Sequence, residues 1–79
     1  MIYTPRGVCS RAIDVEVVDG IVTKVEFVGG CSGNTQGISK LVVGMNAHEA
    51  IERLRGIKCG PRSTSCPDQL SYAIEQAMK

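Results

Sequence analysis

Between Ala12 and Val28 apolar and polar residues alternate with period two, and β-branched side chains are frequent. That is the pattern of two half-buried strands. Asp19-Gly20 supplies the turn between them. A two-residue loop would pair Val17 with Val22 and Val15 with Lys24, mixing apolar and charged groups on one face. A three-residue loop, Val18-Asp19-Gly20, pairs Val17 with Ile21, Val15 with Thr23 and Ile13 with Val25. It gathers Ile13, Val15, Val17, Ile21, Val25 and Phe27 on one face and sets Asp14, Glu16, Lys24 and Glu26 on the other. It also gives Gly20 the left-handed position that such loops require. A one-residue slip would invert every side chain, so the pattern selects the three-residue loop.

Three helical stripes follow. Ile38, Leu41, Val42 and Met45 fall at i, i+3, i+4 and i+7, with Ser32 or Asn34 as caps and Gly44 near the stop; Gly37 weakens the early turns. Ala47, Ala50, Ile51 and Leu54 repeat the spacing behind Asn46, with Glu49 in the capping-box position and Gly56 at the end. Leu70, Ala73, Ile74, Ala77 and Met78 form the third stripe, which Pro67 opens as first helical residue with Cys66 as cap. A lone hairpin is not stable in water. The expected fold is therefore α+β: a two-stranded antiparallel hairpin covered by about three helices, one domain over residues 1–79.

Composition narrows the function. The 79 residues are 43% apolar, too many for a disordered chain, and carry nine Lys and Arg against eight Asp and Glu. A charge of +1 with only Tyr3, Phe27 and Tyr72 as aromatics fits neither nucleic-acid binding nor a polybasic membrane anchor. No apolar run approaches the roughly 18 residues of a membrane span, and residues 1–11 lack the apolar core of a secretory signal, so a cytoplasmic protein is expected. A core this small supplies no more than about 3–5 kcal/mol, which invites a staple.

Cys9, Cys31, Cys59 and Cys66 are the candidates. In the chosen register Cys9 stands opposite Gly29 with Cys31 as its diagonal neighbour, about 7–8 Å away. Cys59 follows the second helix and Cys66 opens the third, so all four sit at element boundaries. As a helix cap near Arg53, Arg55, Lys58 and Arg62, Cys66 faces the positive end of a helix dipole, which favours the thiolate and makes it the foremost reactive thiol. The spacing contains no C-x₂-C knuckle. It leaves open a shared metal site, a redox pair, structural disulfides or four small core residues. His48, the single histidine, falls in a first helical turn and is expected at the surface. The Gly29-Gly30-Cys31-Ser32-Gly33-Asn34 loop lacks the Gly-Lys-Ser/Thr of a phosphate-binding loop and reads as a tight strand-to-helix turn.

Thr64-Ser65-Cys66-Pro67-Asp68, continued by Gln69-Leu70, is the motif that names the TSCPD domain. Gly7-Val8-Cys9-Ser10, Gly30-Cys31-Ser32-Gly33-Asn34, Leu41 through Met45 and Cys59-Gly60 also resemble that family's stand-alone four-cysteine members. Similar domains occur at the C-terminus of some ribonucleotide reductases, notably adenosylcobalamin-dependent ones. The resemblance implies a metal on Cys9, Cys31, Cys59 and Cys66, zinc or iron by the softness of thiolate ligands. It also implies a link to ribonucleoside-diphosphate reduction and deoxyribonucleotide synthesis, chemistry of a nucleotide-binding oxidoreductase. Seventy-nine residues cannot house a radical generator, a nucleotide pocket and a protected dithiol together. An accessory module is the expected role, with a ribonucleotide reductase or another redox protein as partner. Two rivals remain: a thiol–disulfide carrier using Cys59 and Cys66, and an interaction domain whose cysteines are inert.

Overall fold

In a computed structural model, which describes all residues but 6, 8–9, 30–31 and 59–62 and only the backbone of 10 and 32–34, the Asp19-Gly20 turn joins β2 (Ser10–Val18) to β3 (Ile21–Gly29). Both turn residues take positive φ, 53° and 77°. Two such residues make the primed turn whose twist matches that of the flanking strands. The loop therefore has two residues, not the expected three, with Val18 opposite Ile21 and Val17 opposite Val22.

A bulge resolves the conflict between that turn and the hydrophobic pattern. At Glu16 the register shifts, so Glu16 pairs with Lys24 and Val15 with Val25, leaving Thr23 as an extra residue on β3. The Thr23 hydroxyl donates to the Glu16 carbonyl at 3.2 Å, within the bulge itself. Side chains on either side of Thr23 thus reach the core from positions of opposite parity. Val22 is fully buried where Ile21 was expected, and Ile21 is 37% exposed. The rest of the expected face holds: Ile13 and Val15 are buried, with Val17, Val25 and Phe27 packed against them. On the outer face Lys24 bonds Asp14 at 2.8 Å and holds its carboxyl below the usual carboxylate range.

A second shift, between Ser10 and Ala12, makes Arg11 an extra residue on β2 and pairs Ser10 with Gly29. The partner of Gly29 is therefore Ser10 rather than Cys9. Cys9 and Cys31 lie outside the described residues.

Among the described residues the sheet has three strands, not two. β1 (Ile2–Tyr3) lies antiparallel to β2, with Ile2 opposite Asp14 and Tyr3 opposite Ile13, in the order β1-β2-β3. Two residues give no period-two signal, and Pro5, which lacks an N–H, soon follows.

Three helices cover the face of Ile13 and Val15: α1 (Ser32–Val42), α2 (Ala47–Leu54) and α3 (Cys66–Ala77). The buried stripe of α1 runs through Thr35, Ile38 and Val42; Leu41, expected in it, is 76% exposed. The turn after α1 explains the rotation. Gly44 N–H donates to the Val22 carbonyl at 2.7 Å and Val22 N–H to the Met45 carbonyl at 2.9 Å, pinning the helix end to the edge of β3. Ser32 and Asn34, expected as caps, are the first and third residues of α1 itself.

In α2, Ala47 and Ala50 are buried, and the Asn46 side chain accepts from the His48 and Glu49 N–H groups at 2.9 and 3.3 Å. The Glu49 carboxylate turns to Arg53, and His48 is exposed. Asn46→Ala is expected to cost about 1 kcal/mol in urea unfolding, because it removes the cap. In α3, Leu70, Ala73 and Ile74 complete the core. No helix among the described residues is long and apolar enough to cross a membrane.

Candidate functional site

The first turn of α3 is held by polar side chains rather than by apolar packing. Ser65 is its cap, not Cys66: the Ser65 hydroxyl accepts from Asp68 N–H at 3.2 Å and donates to the Ile57 carbonyl at 2.6 Å. A hydroxyl does both well, whereas a thiol is a weak acceptor. Cys66 becomes the first helical residue and Pro67 the second, and Cys66 is half-buried.

Asp68, only 7% exposed, joins three segments. One carboxylate oxygen accepts from Gly56 N–H at 2.8 Å, just past α2, and the other from the Thr64 hydroxyl at 2.5 Å. The Gln69 amide donates to Thr64 Oγ1 at 3.0 Å, and the Tyr3 hydroxyl on β1 points to Gln69 Oε1 at 3.4 Å. The motif Thr64-Ser65-Cys66-Pro67-Asp68-Gln69 is thus a buried knot tying the α2–α3 connection and β1 to the turn that carries Cys66. Sequence reading missed this knot. Its signal was present in Ser65-x-x-Asp68 ahead of an apolar run, a capping pattern.

Two members of the cationic run, Arg53 and Arg55, are engaged away from Cys66. Arg53 is paired with Glu49. Arg55 bonds Ser71 at 3.1 Å and Glu75 at 2.9 Å and lies 4.0 Å from the Tyr72 ring centre. These partners stand five and nine residues along α3 from Cys66, about 7–14 Å in helical rise. Arg55 therefore clamps α2 to α3. Lys58 is exposed, and Arg62 lies outside the described residues.

Of the four cysteines only Cys66 is described; Cys9, Cys31 and Cys59 are not. Their neighbours in the chain nevertheless meet in three places. Ser10, which follows Cys9, pairs with Gly29, two positions before Cys31. Ile57, two before Cys59, receives the hydrogen bond of Ser65, which precedes Cys66. Gly7, two before Cys9, lies so close to Thr64, two before Cys66, that a Cβ on it would stand 3.0 Å from Thr64 Cγ2. Among the described residues no three His, Cys, Asp or Glu side chains gather as a metal site.

Among the described residues, open clefts border these elements in two places. One of about 440 Å³ lies on the motif, lined by Tyr3, Gly7, Thr64, Gln69 and Tyr72 among others. The other, about 570 Å³, lies between β3 and α1, and its described lining includes none of the cysteine neighbours named above. Gly7 and Thr64, two of those neighbours, line the first.

A family model described as the TSCPD domain matches residues 1–78. No curated protein matches the chain, and neither does any solved structure.

Proposed function

This chain belongs to the TSCPD domain family, and on that premise we propose that it is a four-cysteine metal-binding module, accessory to ribonucleotide reduction. The observation that carries the reading is the meeting of cysteine neighbours: Ser10 with Gly29, Gly7 with Thr64, and Ile57 with Ser65. These contacts link the chain segments on which all four cysteines lie. Cys9, Cys31, Cys59 and Cys66 would hold zinc or iron, metals that soft sulfur ligands select. The bound metal would cross-link the strand ends to the α2–α3 connection and so add folding free energy to a small core. The chain's own contribution is a first turn of α3 that stays fixed when the metal leaves, because Ser65, Thr64 and Asp68 hold it by bonds that involve no thiol.

The Ser65–Ile57 bond also favours a second reading. It holds Ile57, two residues before Cys59, against Ser65, the residue before Cys66, and a pair cycling between dithiol and disulfide needs its two chain segments close together. Oxidation to the disulfide would remove two electrons and two protons from that pair and pass them to a disulfide of a reductase, which becomes two thiols.

Alkylation of anaerobic protein read by mass spectrometry separates the two. A metal site predicts four thiols shielded in the native protein and four modified once chelator is added. A redox pair predicts that chelator changes nothing, and that after mild oxidation only Cys9 and Cys31 react. Four thiols reacting freely without chelator, with no oxidised pair trapped, would overturn both.

A further inference from the structure

The contact between Gly7 and Thr64 joins two stretches of chain far apart in sequence, and it is a close one. Gly7 takes φ of 73°, and an added Cβ would come within 3.0 Å of Thr64 Cγ2. Only glycine accepts both that conformation and that approach without cost. Thr64 cannot retreat easily. It is buried, its hydroxyl donates to Asp68, and its oxygen accepts from Gln69. Asp68 in turn is fixed to Gly56 N–H at the end of α2.

We propose that Gly7, Thr64 and Asp68 are the positioning residues of the four-cysteine site. Together they set the separation between the segment leading to Cys9 and the turn that carries Cys66. The inference rests on the metal reading above. None of the three residues is itself a ligand in that reading. Their effect passes through the spacing of the sulfurs, as residues behind metal ligands commonly act.

Three substitutions, alone and with each Thr64 change combined with Gly7→Ala, test this by titration with cobalt(II), whose thiolate charge-transfer and ligand-field bands report affinity and geometry at once. Circular dichroism of the metal-free proteins monitors the fold. Gly7→Ala is expected to weaken cobalt binding about 10–100-fold, the range seen when residues supporting ligands are lost, and to alter the ligand-field bands. Thr64→Ser removes the methyl group that the new Cβ would strike and keeps the hydroxyl. Adding it to Gly7→Ala should restore part of the affinity, while Thr64→Ser alone changes little. Thr64→Val, which keeps the bulk and loses the hydroxyl, should weaken binding without rescuing Gly7→Ala.

A purely structural role for Gly7 would shift the dichroism and leave the bands of the bound fraction unchanged. That result would overturn the positioning role, as would wild-type affinity and spectrum in Gly7→Ala. If the wild-type protein takes up no cobalt or zinc, the metal reading itself fails and the inference with it.

Discussion

Asp68→Ala is expected to lower the stability of the reduced, metal-free domain by about 2–3 kcal/mol, since each buried polar group left unpaired costs about 1–3 kcal/mol. The buried Thr64 hydroxyl loses its acceptor outright. Gly56 N–H loses one too, but its residue is exposed and water can replace part of that bond. Asp68→Asn keeps one carbonyl oxygen for Gly56 and should cost roughly half as much, because the carboxylate's second acceptor becomes a donor. Urea unfolding of the three proteins in chelator measures the difference. A change below about 0.5 kcal/mol for Asp68→Ala, the size of an ordinary surface substitution, would mean that the motif does not hold α2 to α3.

The second large effect lies in the core. Leu70 is completely buried in α3 against β2. Its replacement by alanine should cost about 2–5 kcal/mol, the lost transfer energy plus the cavity left behind. A core of this size contributes only about 3–5 kcal/mol in all, so Leu70→Ala is expected to be largely unfolded in chelator. If the cysteines form a metal site, zinc should recover the fold. Metal at a thousand times its dissociation constant adds about 4 kcal/mol to the native state. The measurement is circular dichroism of Leu70→Ala with and without zinc. Folding in zinc alone supports the coupling of metal to fold. An equally unfolded variant in both conditions contradicts it.

The sequence was most legible where burial is periodic. Ile13, Val15, Val25, Phe27, Ala47, Ala50, Leu70 and Ile74 lie in or against the core as their spacing indicates. It misled where a local device broke the period. At Thr23 the bulge lets a primed two-residue turn coexist with a continuous apolar face, and strict alternation has no room for an extra residue. In α1 the pinning of Gly44 and Met45 to Val22 turned Leu41 outward, a tertiary bond that helical spacing cannot register. At α3 one residue of difference in the cap moved Cys66 into the helix, because Ser65 can both donate and accept.

For the site, the sequence supplied the four cysteines and the family, while the structure added the frame of Cys66 and the contacts among chain neighbours of the others. Cys66 was prominent as a reactive group. The residues that hold it, Thr64, Ser65 and Asp68, are polar side chains whose partners include Gly56 and Ile57 in the connection after α2. Gly7 was legible as part of a motif, but its approach to Thr64 became visible only in three dimensions.

The most direct test of the four-cysteine reading is the metal content of untagged protein purified without oxygen, measured by elemental analysis per mole of chain. The account predicts close to one equivalent of zinc or iron, lost in Cys66→Ser together with the stability it adds, so that the variant unfolds in urea where the wild type does in chelator. Protein that carries no metal, takes up none when zinc or ferrous iron is supplied, and unfolds at the same urea concentration with and without chelator would contradict it.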